Sequence, residues 1–126
     1  MNPWMLPFLI VGAGGALGAV ARYAVGDFLH RHVTAWFPLG TLAVNVVGCF
    51  AIGAVLFAAD DAGTLGHRWR LFLAVGVLGG FTTFSAFGHE TLALMRSDRM
   101  GWALVNVATN VLLGFAAVWL GRWMMK

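Results

Sequence analysis

Long runs of apolar residues, separated by short polar segments, set the pattern of this chain. The four runs cover about residues 4–25, 39–59, 71–95 and 102–123, and charged residues, glycine and proline gather between them. Each run is close to the ~20 residues that a helix needs to cross ~30 Å of hydrocarbon. A bilayer permits only helices or closed barrels, and the strands of a barrel are alternating segments of about ten residues. The pattern therefore predicts an all-α membrane protein with four transmembrane helices.

The composition agrees with a chain whose solvent is lipid. Of the 126 residues, 60% are apolar and 10% are charged, whereas a typical soluble domain carries about 25% charged residues. No linker, repeat or low-complexity tract divides the chain, so we expect residues 1–126 to form a single four-helix domain embedded in a membrane. The first run has no basic residue before it and exceeds the length of a signal-peptide core. We therefore expect it to remain as a span.

The basic residues are divided evenly between the two sides of the predicted membrane domain. The side of both termini and the second loop carries four of them, namely Arg68, Arg70, Arg122 and Lys126. The other side also carries four, namely Arg22, Arg31, Arg96 and Arg99. Topology normally follows an excess of Lys and Arg on one side. The balance predicts dual insertion, with two opposite copies pairing as an antiparallel homodimer. The alternative is that one arginine near a span end fixes a single orientation. No nucleic-acid partner is expected.

Small residues in the apolar runs predict close helix packing. Gly14 and Gly18 in the first span, and Gly76 and Gly80 in the third, are spaced four apart. In lipid, such pairs let two helix backbones approach closely. Together they indicate a compact bundle, although glycine is also simply common in transmembrane helices. The single cysteine, Cys49, lies inside an apolar run and is expected to be a small buried side chain.

Asparagine and threonine side chains lie within two of the predicted spans. In GTLAVNVVG, Thr41, Asn45 and Gly48 fall on one stripe of the second span, while Asn106 and Asn110 share a face of the fourth. An asparagine in hydrocarbon has two donors and an acceptor to satisfy. One interpretation is that these amides join helices, at about 0.6 kcal/mol per hydrogen bond on average. The other is a polar path through the bundle.

The segment GGFTTFSAFGHE, residues 79–90, interrupts the third apolar run. Glycine weakens a helix by about 1 kcal/mol, so the two glycines and two threonines of residues 79–83 predict a break near the middle of the span. A break at that depth frees carbonyls that lipid cannot satisfy, and several transporters bind ions at such breaks. Phe84 and Phe87 then share a helical face beside Ser85. They are either ordinary packing residues or rings whose positive edges face an anion.

These motifs resemble the Fluc (CrcB) fluoride channels. GTLAVNVVG, GGFTTFSAF followed by Glu90, and the early GGALGAVAR match that family, and length, span count and motif order match over the whole chain. The resemblance implies an antiparallel, dual-topology homodimer of four-helix chains. It implies that the dimer lies in the plasma membrane, the inner membrane of a bacterium. It also implies that the dimer exports cytoplasmic fluoride passively through two equivalent pores along the subunit interface, which gives resistance to fluoride.

The resemblance also implies a role for individual residues. Asn45 matches the pore asparagine that donates to the anion, and Phe84 and Phe87 match the pore phenylalanines. Gly79 and Thr82 match the residues whose backbone carbonyls, two from each subunit, hold a structural Na⁺ at the dimer centre. Thr83 and Ser85 match a hydroxyl track along the pore wall, and Glu90 matches a glutamate near the pore mouth. Arg22 matches the arginine that closes the first span, and Asn110 matches a polar position of the fourth span.

Two other classes of membrane protein remain as alternatives. A small dual-topology multidrug exporter needs a carboxylate inside its first span, and the predicted span 4–25 has none. A non-transporting scaffold protein would not need polar side chains aligned on three spans. No enzymatic activity is expected, because Ser85, His89 and Glu90 are crowded on one helix and cannot take up the geometry of a catalytic triad.

Overall fold

The structure is a computed structural model that describes residues 2, 4–33 and 35–126. Throughout those ranges the regular elements are helices, and no β-strand occurs. In chain order they are α1 (Met5–His32), α2 (Leu39–Asp61), α3 (residues 67–81), α4 (Phe84–Arg96) and α5 (Met100–Met124). Helices α1, α2 and α5 and the pair α3–α4 are each long and apolar enough to cross a membrane. The predicted all-α architecture with four spans is confirmed.

Helix α1 is longer than its apolar run. It continues from the predicted end near residue 25 to His32, and at about 1.5 Å per residue its 28 residues reach about 42 Å. The added turns are polar and are stabilised locally, since Arg31 Nε lies 2.8 Å from Asp27 Oδ2 one turn earlier. Three basic residues in the last turn, His30 to His32, also face the negative end of the helix dipole. The end of α1 therefore extends beyond the hydrocarbon.

The third span changes its helical geometry along its length. It begins with a regular turn at His67–Arg70, widens into a π-helix at Leu71–Leu78 and tightens again at Gly79–Phe81. Thr82 (φ −84°, ψ 158°) and Thr83 (φ −151°, ψ 117°) are extended, and α4 begins at the next residue. The predicted break is present, but it lies just after the two glycines rather than at them.

Side-chain hydrogen bonds explain why the break lies at the threonines. The hydroxyl of Thr83 accepts the backbone N–H of Ala86 at 3.2 Å, so Thr83 is the N-cap of α4. On the other side of the break, the Thr82 N–H and hydroxyl both donate to the carbonyl of Leu78, at 3.1 and 3.0 Å. Thr82 thus ends α3 while Thr83 begins α4.

Glycines bring α1 against α3. A Cβ atom on Gly14 would lie 2.5 Å from the carbonyl oxygen of Phe72, and one on Gly80 would lie 2.5 Å from that of Gly15. Gly14 and Gly76 face each other: a Cβ atom on Gly14 would lie 3.0 Å from the Cα of Gly76, and one on Gly76 would lie 2.9 Å from the Cα of Gly14. No larger side chain fits there without moving a helix. The predicted packing role of these glycines is confirmed.

Helices α2 and α5 pack against each other along an extensive contact. Gly121 of α5 lies directly against the backbone of Phe50 in α2, a contact that the sequence pattern did not predict. At the end of this pair the Arg122 guanidinium lies 2.6 Å from Asp61 Oδ1. Val44 of α2 and Ala103 of α5 are each 1% exposed. This packing places the polar stripes of α2 and α5 face to face.

Candidate ion pathway at the break in the third span

Two cavities meet at the break. The smaller one, here called the cleft, has a volume of about 350 Å³, and the larger, here called the vestibule, about 980 Å³. Thr83 lines both of them. The ten site residues predicted from the sequence all lie here: Asn45, Gly79, Thr82, Thr83, Phe84, Phe87 and Asn110 line the cleft, and Arg22, Thr83, Ser85 and Glu90 line the vestibule. The structure therefore brings the predicted site residues together around two neighbouring cavities that share Thr83.

Asn45 holds the backbone of the break. Its Oδ1 accepts the N–H of Thr83 at 2.9 Å, and its Nδ2 donates to the carbonyl of Thr83 at 3.2 Å. The side-chain amide therefore pairs with one residue as a neighbouring β-strand would. The second N–H of Asn45 donates to Asn110 Oδ1 at 3.0 Å. Both donors of Asn45 are thus engaged within the chain.

The hydrogen bonds continue from α5 to α4. Asn110 Nδ2 donates to Asn106 Oδ1 at 3.0 Å, and Asn106 Nδ2 donates to the hydroxyl of Thr91 at 2.9 Å. That hydroxyl donates in turn to the carbonyl of Phe87 at 2.7 Å. We call Asn45, Asn110, Asn106 and Thr91 the amide relay. The sequence pattern placed Asn106 and Asn110 on one face, but it gave no reason to single out Thr91. Its position one turn after Phe87 is the only local signal.

The two phenylalanine rings differ in exposure. Their centroids lie 5.4 Å apart with an angle of 54° between the ring planes. The residue Phe84 is 84% exposed, whereas Phe87 is half-buried against the cleft. Gly79 and Ser85 beside them are exposed too. The cleft is therefore open along one face of the single chain.

The break leaves several carbonyl groups without their helical donors, and those of Gly79 and Thr82 are two of them. In an uninterrupted helix the N–H of Thr83 would bond Gly79, and that of Ala86 would bond Thr82. Here the first donates to Asn45 Oδ1 at 2.9 Å and the second to Thr83 Oγ1 at 3.2 Å. The oxygens of Gly79 and Thr82 are left to find other partners, and unwound carbonyls of this kind are typical Na⁺ ligands in membrane proteins.

The vestibule is rich in basic and hydroxyl groups. Arg22 Nη1 lies 3.5 Å from the carbonyl oxygen of Thr82, at the outer limit of a hydrogen bond. The hydroxyls of Thr83 and Ser85 lie 3.2 Å apart. His30, His89 and Arg99 also line this cavity. The two arginines outnumber the one carboxylate of this cavity, Glu90, so its net charge favours an anion.

Glu90 is the acidic residue of the vestibule. Its Oε1 accepts the hydroxyl of Thr41 in α2 at 2.7 Å. Its Oε2 is buried and has no hydrogen-bond partner among the described residues. Thr41 was predicted to lie on the stripe of Asn45, and the contact shows that this stripe reaches from the cleft to the vestibule.

The fold and the two cavities define the class: a multi-pass helical membrane protein with asparagine and threonine side chains in a cleft at a broken span, an arrangement typical of membrane transport proteins. The chain belongs to the family described as "CrcB-like protein, Camphor Resistance (CrcB)", whose sequence profile matches residues 9–122. This finding confirms the family that the sequence motifs indicated.

Several curated relatives are similar to the chain over nearly all of their length. The fluoride-specific ion channel FluC of Solibacter usitatus is 45% identical over 121 residues, which are 96% of this chain and 99% of the relative. The channel of Acidobacterium capsulatum is 44% identical over 116 residues, which are 92% of this chain and 93% of the relative. The channel of Thermus thermophilus is 46% identical over 114 residues, which are 90% of this chain and 89% of the relative. Because these relatives are ion channels, the family is not enzymatic, as predicted. The chain is a multi-pass protein of a bacterial membrane.

Proposed function

We propose that the chain is a fluoride channel that conducts the anion passively out of the cytoplasm. One observation carries the proposal: the predicted site residues surround two cavities that meet at Thr83, in a chain whose relatives of about the same length are named fluoride-specific ion channels. The cleft and vestibule together offer ring edges, hydroxyls and basic groups. The ring edges and the basic groups favour an anion over a cation, and the hydroxyls can donate hydrogen bonds to it.

The lining suggests how the pathway replaces water around fluoride. A small anion that holds its water strongly must meet hydrogen-bond donors in succession, and each site must bind weakly enough to release it. The hydroxyls of Thr83 and Ser85, 3.2 Å apart, provide adjacent donors. Asn45 donates to the anion by exchanging one of its two bonds, to the Thr83 carbonyl or to Asn110 Oδ1. This exchange keeps its binding of the anion weak.

We propose that a second, antiparallel copy closes the cleft. The exposed ring of Phe84 and the exposed Gly79 lie on its open side. A break in the helical backbone is tolerated at membrane depth only where protein or water covers it. The equal numbers of basic residues on the two sides support dual insertion. Two-fold symmetry would then give two equivalent pores.

We further propose that the carbonyl oxygens of Gly79 and Thr82 from both subunits hold a structural Na⁺. The two groups have lost their helical donors at the break, as described above. A Cβ on Gly79 would meet nothing nearer than the Ala74 oxygen at 3.8 Å, so the backbone is accessible from the open face. Arg22 lies 3.5 Å from Thr82 O, but a carbonyl oxygen has two lone pairs and can accept a second partner.

Within the described residues, no structural feature favours the multidrug exporter. Because α1 extends beyond the predicted span, it does contain an acid, Asp27. That carboxylate lies near the end of the helix and is paired with Arg31 at 2.8 Å. It is therefore not the free carboxylate within the membrane that proton-coupled drug export would need.

Fluoride efflux from liposomes tests the proposal. Purified protein is reconstituted into liposomes loaded with equal concentrations of fluoride and chloride, and ion-selective electrodes follow both ions. A potassium ionophore prevents charge from accumulating. We expect rapid loss of fluoride with retention of chloride, and slow loss of both from protein-free liposomes. Equal loss of the two halides, or fluoride loss no faster than without protein, would overturn the proposal.

A further inference from the structure

The amide relay has a fixed direction. It begins at the backbone N–H of Thr83, which can only donate, so Asn45 must present its oxygen there and its Nδ2 to Asn110. It ends at the carbonyl of Phe87, which can only accept a hydrogen bond from the hydroxyl of Thr91. Each amide between these ends is therefore held in one orientation by its neighbours. A network with every donor and acceptor paired specifies one arrangement of its helices.

Asn106 stands at the centre of the relay. It is 0% exposed and lines neither cavity. Its Oδ1 accepts from Asn110, and its Nδ2 donates to Thr91. The Asn106 side chain thus connects to Asn45 in α2 through Asn110. It connects to Phe87 in α4 through Thr91.

We propose that Asn106 is a positioning residue for the ion pathway. It sets where the Phe87 ring and the Asn45 amide lie relative to each other, although it contacts no ion itself. The proposal rests on the proposed function as a fluoride channel. Thr91 takes part in the same positioning, because its hydroxyl accepts a hydrogen bond from Asn106 and donates one to the Phe87 carbonyl.

The chain offers matched variants for a test. Asn106→Leu removes the central amide at similar volume. Thr91→Val removes only the hydroxyl, and Thr91→Ser keeps it. Thr109→Val is the control on α5, because the Thr109 hydroxyl bonds only the backbone of its own helix, at Val105 and Asn106.

The measurement is the ratio of fluoride to chloride efflux from liposomes, taken per reconstituted dimer, beside retention of the assembled form on size exclusion. We expect Asn106→Leu and Thr91→Val each to lower the ratio by about tenfold, which corresponds to about 1.4 kcal/mol. Thr91→Ser and Thr109→Val should match the parent. Because the two relay residues act as a unit, the double variant Asn106→Leu/Thr91→Val should be no worse than either single variant.

The outcomes separate this inference from the proposed function. If the parent fails to conduct fluoride selectively, the proposed function is wrong. If the parent conducts but Thr91→Val keeps its halide ratio, the positioning role is overturned, even where Asn106→Leu fails to assemble. Effects of the two substitutions that multiply in the double variant would also overturn it. A loss of assembly in Thr91→Val without any change of ratio in the assembled fraction would reduce the relay to a purely structural role.

Discussion

The two rings of the cleft are held by different means. The backbone of Phe87 is fixed by its own chain, since its carbonyl accepts the Thr91 hydroxyl at 2.7 Å. Phe84 is 84% exposed and has little of its own chain around it. We therefore expect the Phe87 ring to be positioned in the single chain and the Phe84 ring to depend on a second copy.

Isoleucine at either ring position tests whether the ring edges face the anion. Phe84→Ile and Phe87→Ile keep an apolar side chain but remove the positive ring edge. A near-isosteric exchange costs less than about 1.5 kcal/mol, so the assembled form should persist while fluoride efflux falls by at least about tenfold. Phe115→Ile is the control, because Phe115 is equally exposed at 74% but lines neither cavity. Parent-like efflux in both cleft variants would mean that these rings are ordinary packing residues.

The site residues could be named from the sequence, but their hydrogen bonds could not. Motif and spacing identified Asn45 and placed Asn106 and Asn110 on one face, because helical periodicity acts within a single span. The pairing of Asn45 with the Thr83 backbone depends on how α2 is rotated against the break. Thr91 was missed for the same reason, since its partner Asn106 lies on another helix.

At the level of elements, the break shows where the sequence pattern was incomplete. The segment of residues 79–83 predicted an interruption, and the structure has one at Thr82 and Thr83. The glycines themselves stay helical because Gly80 is needed for contact with the backbone of Gly15. Glycine can break a helix or let another helix approach, and a single sequence does not distinguish the two uses.

Gly48 gives α2 its fit to the break. A Cβ atom there would overlap the methyl group of Thr82. Gly48→Ala should therefore displace Thr82 at a cost of about 1–3 kcal/mol and reduce fluoride efflux. Thr82→Ser removes the methyl group but keeps the hydroxyl that donates to the Leu78 carbonyl. The double variant Gly48→Ala/Thr82→Ser should recover efflux, and failure of this rescue would show that the methyl contact is not what matters.

Sodium should stabilise the assembled protein through the freed carbonyls. A ligand that binds only the folded state at 100 times its Kd adds about 2.7 kcal/mol. We expect a higher Tm in NaCl than in choline chloride at equal ionic strength. Gly79→Val, which places a branched side chain on the open face, should lose this difference. Gly12→Val is the control, since a Cβ on Gly12 meets nothing within 4 Å. The same Tm in both salts for the parent would contradict the Na⁺ site.

For the whole molecule, charge balance is the property on which dual insertion depends. In the described residues, ion pairs neutralise more basic residues on one side of the membrane domain than on the other. Arg70 and Arg122 pair with Asp60 and Asp61 on one side, whereas Arg31 pairs with Asp27 on the other. Acidic residues contribute little to orientation, which follows Lys and Arg. The even count of basic residues is therefore the relevant quantity.

Added lysines on one side should impose one orientation. His32→Lys with Met100→Lys biases one side, and Ala62→Lys with Thr64→Lys biases the other, at exposed positions that line neither cavity. Each double variant expressed alone lacks an antiparallel partner and should conduct little fluoride. Co-expression of the two should restore efflux. Full efflux from either double variant alone would contradict the antiparallel dimer.

The reversal potential in a planar bilayer tests the central claim most directly, namely passive conduction selective for fluoride. A tenfold gradient of a monovalent ion is worth about 1.4 kcal/mol, and 100 mV is worth about 2.3 kcal/mol per charge. With a tenfold fluoride gradient and equal chloride and pH, the current should therefore reverse at about 59 mV, with the sign set by fluoride. Adding a pH gradient should not move this potential. A reversal near zero, or one that follows the pH gradient, would contradict the account.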